Sequence, residues 1–349
     1  MSWRVLPDQL DEVAARWPTH GLAVVDRRQS VRYPELAHRV RRAALALARA
    51  GLRPGDNVGL LLPTCVEFYV ALLGAMRAGL APSPFAPPAS AQRVASDVRG
   101  FRRALANGRC RALVIDAQTA GRLGAAVDDL GVPVLAIEAL DGEPPADAPP
   151  ATLPVIDPAR DLALIQYTSG STSHPKGVAL THDQLAAGVQ AIARGIALTA
   201  ADVNGQWLPI HHDMGLIGSL TGLSVGVDQF LWSPMSFVRD PLRWLAGFAA
   251  RRATIYAGPN FSYAELAARA DDADLAGLDL SAWRVAFNGA EPVDAGVLRR
   301  FGARFARAGL RADVVMPVYG LAEVTLAATF PPLGQAWHAA RVRADALGA

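Results

Sequence analysis

Cysteine is scarce in this chain, since only Cys65 and Cys110 occur among 349 residues. Neither belongs to a C-x-x-C pair or lies close to clustered histidines, which argues against a zinc site. Cys65 begins an apolar helical segment and is interpreted as a small core residue rather than as a nucleophile. Such a low cysteine count suits a protein of the reducing cytoplasm.

Excess charge and long apolar runs are also missing. The 34 basic and 32 acidic residues leave a net charge of only +2, and no basic stripe is interleaved with aromatic residues, so we expect no nucleic-acid partner. No apolar run approaches the roughly 18 residues of a membrane span. The first residues, Met1-Ser-Trp-Arg4, lack the apolar core of a secretory signal. We therefore expect a cytoplasmic protein without a membrane span.

Hydrophobic residues are abundant, at 51% of the chain, and strand-like and helix-like segments alternate. The pattern predicts a helix from Tyr33 to Gly51, a strand from Val58 to Leu62 and a helix from Val66 to Ala78. Arginines 39, 41 and 42 of the first helix are interpreted as a solvated face. Alternation of this kind predicts an α/β fold in which helices cover parallel sheets.

A stretch from Asp141 to Thr152, rich in Pro, Ala, Asp and Glu, has no periodicity and is interpreted as a surface linker. We expect residues 1–160 to form a first α/β half and residues 161–330 a second, with 331–349 beginning a further subdomain or a tail. Further predicted elements are the strands 112–116, 132–137, 229–233, 254–258, 284–288 and 314–319 and the helices 117–130, 241–252, 262–270 and 295–308.

The most informative segment is Tyr167-Thr-Ser-Gly-Ser-Thr-Ser-His-Pro-Lys-Gly177, which follows a predicted buried strand, Leu162–Gln166. Its backbone N–H groups and hydroxyls can donate to phosphate oxygens, its glycines allow close approach, and its lysine adds positive charge. The order Lys-Gly differs from the Gly-Lys-Ser/Thr of a P-loop. A flexible turn is the alternative, but the pattern favours a site for a polyphosphate.

Three further segments carry polar or small residues, and most of the motifs follow predicted strands, where ligands of open α/β sheets bind. They are Trp207-Leu-Pro-Ile-His-His-Asp-Met-Gly215, Phe287-Asn-Gly-Ala-Glu-Pro292 and Tyr319-Gly-Leu-Ala-Glu323. Adjacent histidines such as His211 and His212 rarely point the same way, so one metal bound by both is improbable. For His211 the alternative is a satisfied histidine at a helix start, with Asp213 as the cap.

In this order, the four motifs resemble those of the adenylate-forming superfamily, which includes acyl-CoA synthetases, luciferases and peptide-synthetase adenylation domains. The similarity runs from about Leu22 to about Thr329. It implies the large N-terminal domain of that family, with two Rossmann-like parallel-sheet subdomains and the nucleotide at their junction. The last three motifs, together with Gly258-Pro-Asn-Phe261, are most similar to the fatty acyl-AMP ligase branch.

The resemblance also implies roles for individual residues. ATP would be bound by Thr168, Ser169, Gly170, Ser171, Thr172, Lys176, Gly289, Ala290, Glu291, Tyr319 and Gly320, with Tyr319 stacked on the adenine. The catalytic residues would be Lys176, His212 in the acyl tunnel, and Glu323, which would also bind Mg²⁺. His174 is given no role, and Ala322 stands where the family usually has Thr.

The implied function is ATP-dependent activation of a fatty acid to an acyl-adenylate, with release of pyrophosphate, for transfer to a carrier-protein thiol in lipopeptide or polyketide biosynthesis. Fatty acyl-CoA ligation, with CoA as acceptor, and amino-acid adenylation are alternatives of the same class. A non-catalytic nucleotide or acyl binder is an alternative of another class. We expect an aliphatic acid because Met214–Val227 contains no acidic residue, although Asp228 stays open as a partner for an ammonium group.

Two segments of the family are not found in the sequence: the small C-terminal domain with its catalytic lysine, and the ribose-binding Asp. We therefore expect the chain to be a fragment or a natural truncation and a poor catalyst of the full cycle by itself. The acyl chain length, the acceptor thiol and the oligomeric state are left open.

Overall fold

The strands and helices are taken from a computed structural model, which describes residues 3–88, 94–143, 150–168 and 176–343. The strands are β1 (Gly21–Val24), β2 (Gln29–Arg32), β3 (Asn57–Leu61), β4 (Ala81–Pro84), β5 (Cys110–Ile115), β6 (Val134–Ala136), β7 (Leu162–Thr168), β8 (Lys176–Thr181), β9 (Val203–Gln206), β10 (Asp228–Leu231), β11 (Ile255–Gly258), β12 (Val285–Asn288), β13 (Val315–Pro317), β14 (Tyr319–Gly320) and β15 (Ala327–Thr329). The α-helices are α1 (Leu6–Arg16), α2 (Tyr33–Arg49), α3 (Val66–Arg77), α4 (Val94–Asn107), α5 (Ala117–Leu123), α6 (Ile137–Asp141), α7 (His182–Gly195), α8 (Asp213–Val225), α9 (Pro234–Arg239), α10 (Pro241–Ala250), α11 (Asn260–Arg269), α12 (Asp272–Leu275) and α13 (Ala295–Phe305).

Two mainly parallel sheets form the framework, which confirms the predicted α/β fold. The larger sheet has seven strands in the order β13-β12-β11-β9-β10-β1-β2, and only β1 and β2 pair antiparallel in it. The smaller sheet has the order β4-β3-β5-β6 and is parallel throughout. Two antiparallel pairs, β7 with β8 and β14 with β15, stand apart from both sheets.

The sheets do not follow the division of the chain at residue 160. Strands β1 and β2 precede that point, yet they extend the larger sheet, whose other five strands all follow it. Short edge strands of this kind give little sequence signal, because neither carries a long apolar run. The first predicted half therefore contributes strands β1 and β2 to the sheet of the second half, and the domain boundary stays a prediction.

Helix α8 is buried on all sides. It packs against α1, α7 and strands β9, β10 and β11, and Leu216, Ile217, Leu220 and Leu223 have no exposed surface. A helix that is apolar around its whole circumference belongs in a protein interior. This buried position makes α8 a wall for any cavity beneath the larger sheet.

The arginines of α2 differ from their prediction as a solvated face. Arg39 and Arg42 are only 16% and 22% exposed, and both pair with Asp141 at the end of α6. Arg39 also pairs with Glu67 at 3.0 Å, whereas Arg41 is 56% exposed. Asp141, predicted as the start of a linker, is thus part of a half-buried ion-pair cluster. Burying a charged side chain costs little free energy only when it is paired with an opposite charge, as these side chains are.

Other predictions hold with shifted boundaries. The predicted helix 117–130 breaks at Gly124, which has a φ of +54°, and continues as a 3₁₀ helix. The predicted strand 314–319 divides into β13 and β14, and the predicted capping box at Thr181 is confirmed. Burial raises the pKa of the Cys65 thiol to about 12 and that of Cys110 to about 11, as core cysteines should behave. Among the described helices, none is long and apolar enough to cross a membrane.

Candidate active site

A cavity lies between α7, α8 and the larger sheet. Its water-accessible space is about 100 Å³, within a wider envelope of about 870 Å³ that includes open solvent. Its walls are mainly apolar, with Ile192 from α7, Ile196 directly after that helix, Ile255 from β11 and Phe287 from β12. A pocket with this mainly apolar lining is suited to a small organic ligand with an apolar part.

The mouth of this cavity unites three of the four predicted motifs. Asp213 comes from the start of α8, Ala290 from the turn after β12, and Gly320 from β14, and all three line the same space. These residues are more than 100 positions apart at the extremes, so only the fold brings them together. Convergence of strand ends at one edge is where ligands of open α/β sheets bind.

Two glycines of these motifs are required by the backbone itself. A Cβ on Gly289 would lie 2.7 Å from the Val318 carbonyl oxygen, and one on Gly320 would lie 1.9 Å from that of Leu326. Ala290, which directly follows Gly289, has a φ of +67°. The small residues predicted to receive adenine therefore also serve close packing between neighbouring turns, a second reason that the sequence pattern did not reveal.

Glu291, predicted among the nucleotide-binding residues, makes a structural contact. Its Oε1 accepts a hydrogen bond from the backbone N–H of Phe261 at 2.6 Å. Nearby, Asn288 Nδ2 donates to Asn260 Oδ1 at 3.1 Å. Together these bonds join the turn after β12 to the start of α11, so that Glu291 holds the shape of the turn in which Ala290 lies.

The turn between β14 and β15 presents side chains to solvent. Tyr319 is 66% exposed, and Glu323 is exposed in a 3₁₀ turn. The turn is anchored by Thr325, whose Oγ1 donates to the Gln184 carbonyl oxygen at 3.0 Å, although its φ is +73°. Ala322, where the resemblance led us to expect Thr, is buried. Tyr319, the predicted adenine contact, and Glu323, the predicted Mg²⁺ ligand, therefore extend exposed side chains from a segment that Thr325 anchors.

The two histidine rings lie close together, although adjacent residues were expected to point in different directions. The rings of His211 and His212 are 4.6 Å apart between centroids. Burial, followed by the neighbouring His212, lowers the pKa of His211 to about 4, so its ring is neutral near pH 7. The described residues contain no group of three or more His, Cys, Asp or Glu side chains that could hold a metal. His212, predicted to lie in the acyl tunnel, is exposed and is not among the residues that line the cavity, although its neighbour Asp213 is.

Asp213 is the functional candidate that the sequence did not identify. The cap of α8 is His212, without a side-chain bond, and Asp213 Oδ1 accepts from the N–H of Met214 at 2.7 Å. The interpretation of Asp213 as the helix cap is therefore wrong. Burial raises the pKa of its carboxyl, and the charge of Glu323 raises it further. The charge of one carboxyl group thus acts on the other although the two residues are far apart in the sequence, a relation that no local pattern could show.

Two of the remaining predicted residues, Thr168 and Lys176, lie on the β7–β8 hairpin. Thr168 pairs directly with Lys176 across the two strands. Ser169, Gly170, Ser171, Thr172 and His174 lie outside the described residues. Gln166 Nε2 donates to the His211 carbonyl oxygen at 2.7 Å, which connects the hairpin to the mouth of the cavity. Lys176 is exposed and is the only lysine in the sequence.

Asp228 does not reach this cavity. Its Oδ1 accepts from the N–H of Gly21 at 2.9 Å, and it lines a separate surface pocket beside β1 and β2. The residue left open as a partner for an ammonium group therefore stabilises the edge of the larger sheet.

Comparison with known proteins identifies relatives along nearly the whole chain. A medium-chain-fatty-acid–[acyl-carrier-protein] ligase of Moorena producens is 34% identical over 321 residues, which cover 91% of this chain and 54% of that protein. A long-chain-fatty-acid–AMP ligase of Mycobacterium tuberculosis is 35% identical over 294 residues, 80% of this chain and 49% of that protein. The chain thus spans about half the length of these relatives.

Solved structures agree with the fold. A fatty acyl-adenylate ligase from L. pneumophila in complex with acyl adenylate and pyrophosphate superposes with a TM-score of 0.86 and 31% identity, over 97% of this chain and 58% of that one. The model of the AMP-binding enzyme family matches residues 10–344. The chain therefore belongs to the family of AMP-binding enzymes.

Proposed function

We propose that this protein binds ATP and activates a fatty acid as its acyl-adenylate, with release of pyrophosphate. The observation that carries the proposal is the single cavity whose mouth is lined by Asp213, Ala290 and Gly320 and whose walls are apolar. A carboxylate at the mouth and an alkyl chain in the interior would both be accommodated. One ligand can therefore have its reacting group beside the nucleotide motifs and its tail inside the protein.

The reaction needs no nucleophile from the protein. A carboxylate oxygen of the acid attacks the α-phosphorus of ATP, and the bond between that phosphorus and the oxygen leading to the β-phosphate breaks. Pyrophosphate leaves, and the acyl group remains joined to AMP. The contribution of the protein is to position the two substrates and to stabilise negative charge on the phosphoryl oxygens. Lys176 and the hydroxyl of Thr168, adjacent on the β7–β8 hairpin, are suited to that task.

The nucleotide would be held at the exposed rim. The close-packed turns of Gly289 and Gly320 carry no bulky side chain beside Ala290, so a flat base can approach the backbone there. The exposed ring of Tyr319 supplies a surface on which a base can stack. His212, exposed beside the mouth, would contact the carboxyl end of the acid.

Mg²⁺ fits the carboxylates of this rim. Magnesium is commonly bound by one or two carboxylates together with phosphate oxygens, so a cluster of three protein ligands is not required. Glu323 is exposed, and its charge acts on Asp213 across the mouth. When bound, the ion would neutralise phosphate charge, and Glu323 is the residue proposed to hold it.

The acceptor is proposed to be the thiol of an acyl carrier protein, with CoA as the alternative. This follows from the relative of Moorena producens, which is named for transfer to an acyl carrier protein. A cytoplasmic location also stays a proposal.

Amino-acid adenylation is the second candidate, and Asp213 is the observation that favours it. A carboxyl at the mouth of the cavity could pair with an ammonium group on the carbon next to the substrate carboxylate. Its raised pKa opposes this role, because burial and Glu323 already disfavour the charged form that such a pair requires.

The single lysine offers a direct test of nucleotide binding. A lysine-specific reagent can modify only Lys176 and the amino terminus. We expect ATP with Mg²⁺ to protect Lys176 from modification and to leave the amino terminus reactive, which serves as the internal control. Isotope exchange between pyrophosphate and ATP should then require decanoic acid. Protection without any exchange would favour a non-catalytic binder, and exchange with amino acids alone would favour the second candidate.

A further inference from the structure

Two amide side chains interrupt the apolar lining of the cavity. Asn204 and Gln206 lie on β9, two residues apart and hence on the same face of the strand. Both line the cavity, and they are only 6% and 2% exposed. Buried amides need hydrogen-bond partners, so the direction in which each amide points decides what the cavity can bind.

The orientation of Gln206 is fixed by its neighbour. Its side-chain nitrogen lies 2.9 Å from the carbonyl oxygen of Gly215 in α8. A carbonyl oxygen can only accept a hydrogen bond, so the NH₂ group must face Gly215 and the Oε1 must face the other way. That oxygen would lie 3.4 Å from a Cβ placed on Gly218, which itself lines the cavity.

A chain of hydrogen bonds fixes Asn204 in the same manner. The Tyr33 hydroxyl donates to the Val227 carbonyl oxygen, and Gln229 Nε2 donates to that hydroxyl at 3.4 Å. Gln229 Oε1 is thereby left to accept from Asn204 Nδ2, at 3.1 Å. Because the chain begins at a carbonyl that cannot donate, every amide in it has one possible orientation. The Oδ1 of Asn204 is the free end of this chain.

Both amide oxygens lack a donor within the described residues, as the recorded hydrogen bonds of Asn204 and Gln206 involve only their nitrogens. The hydroxyl of Thr221, a polar lining group on α8, already donates to the Ile217 carbonyl oxygen at 2.7 Å. A purely apolar ligand would cover these cavity-facing oxygens without supplying a donor, which disfavours such a ligand by the desolvation free energy of each oxygen. The lining therefore favours a ligand that brings an O–H group.

Resting on the proposed function, we infer that the preferred acid carries a hydroxyl group on its aliphatic chain. Helix α8 gives the depth scale: five residues separate Asp213 at the mouth from Gly218, a rise of about 7 Å. Asn204 lies two strand residues further from the mouth, about another 7 Å. A mid-chain hydroxyl would reach Gln206, and the terminal hydroxyl of a medium-length chain would reach Asn204.

The test is equilibrium binding of three acids to the 349-residue chain by calorimetry: decanoic acid, the same acid with a mid-chain hydroxyl, and the same acid with a terminal hydroxyl. We expect at least one hydroxy acid to bind about fivefold more tightly than decanoic acid, which corresponds to the net worth of one hydrogen bond. Gln206→Met keeps the side-chain volume and removes the acceptor, so it should abolish any preference for the mid-chain hydroxyl.

Thr221→Val is the matched control, because it alters a lining residue whose hydroxyl is already bonded, and it should keep the preference. If decanoic acid binds as tightly as both hydroxy acids or more tightly, the inference is overturned while the proposed function stands. If none of the three acids binds, the proposed function fails and the inference fails with it. The comparison in the unaltered protein decides the matter even if a variant does not fold.

Discussion

The interior of the cavity and its rim are built in different ways. The interior is enclosed by two packed helices, α7 and α8, and by central strands of the larger sheet, with leucines of α8 fully buried. At the rim, Lys176, Tyr319, Glu323 and His212 extend their side chains into solvent from turns and strand ends. For the proposed function, the difference means that selection of the acid would rest on the packed core. Binding of the nucleotide would instead depend on exposed groups that gain their partners only with the ligand.

A variant that fills the interior should have the largest effect on acid binding. Gly218 faces the cavity, and a Cβ there meets only Gln206 Oε1 at 3.4 Å, so a larger side chain fits the helix and projects into the space. Gly218→Leu should weaken binding of decanoic acid about 200-fold, the value of roughly four methylenes left outside. ATP binding should not change, and Gly218→Ala should give a much smaller loss. Calorimetry with each ligand would measure both affinities. Equal losses of affinity for decanoic acid and for ATP would contradict the separation of interior and rim.

A variant at the rim should show the opposite selectivity. Glu323→Gln keeps the size of an exposed side chain but removes the charge proposed to hold Mg²⁺. We expect Mg²⁺-dependent ATP binding to weaken about 30-fold, the typical worth of a charge-assisted contact, with decanoic acid bound as before. Glu265→Gln, which removes a half-exposed carboxylate of α11 that pairs with Arg269, is the control. Unchanged ATP affinity in Glu323→Gln would exclude this role for Glu323.

Acid should destabilise the helices that enclose the interior. Burial lowers the pKa of His182, the first residue of α7, to about 4, and both ring nitrogens lack partners among the described residues. A folded-state pKa below the unfolded value of about 6.5 means that the stability present above pH 6.5 is lost as pH falls toward 4. For this group the free energy of unfolding should fall by about 2 kcal/mol between pH 7 and pH 5.

His182→Leu tests that pH dependence. The variant should be at least as stable as the parent at pH 7 and should lose less stability at pH 5, as measured by denaturant unfolding at both values. His211, whose pKa is also about 4, should leave a residual slope. An identical pH profile for parent and variant would mean that His182 is not responsible.

The smallest effect is expected for the N-terminal segment that contacts α7 from outside. Arg4 pairs with Asp183, but its side chain is 58% exposed. Exposed ion pairs contribute little because water and salt screen them. Arg4→Ala should therefore leave the melting temperature within experimental error and leave both ligand affinities unchanged. A clear loss of acid binding would show that the interior depends on its surface contacts.

The amino-acid sequence by itself determined the fold class and the positions of the four motifs. Helical periodicity placed Leu36, Val40, Ala43 and Leu47 on one face of α2, and all four are fully buried. The Thr181 capping box marked the start of α7 correctly. Signals of this kind are local, because a cap or a buried face depends on residues within a few positions along the chain.

Only the tertiary structure decided which residues share the site and which of them have other partners. Asp213 and Glu323 interact across more than 100 positions, and Glu291 is engaged by the backbone of Phe261. Likewise, the orientation of Asn204 follows from Tyr33 and Gln229, which come from other elements of the fold. Contacts of this kind arise from strand order and helix packing, so no sequence pattern contains them. Burial and hydrogen-bond direction, which set the charge and polarity of the cavity, exist only once the chain has folded.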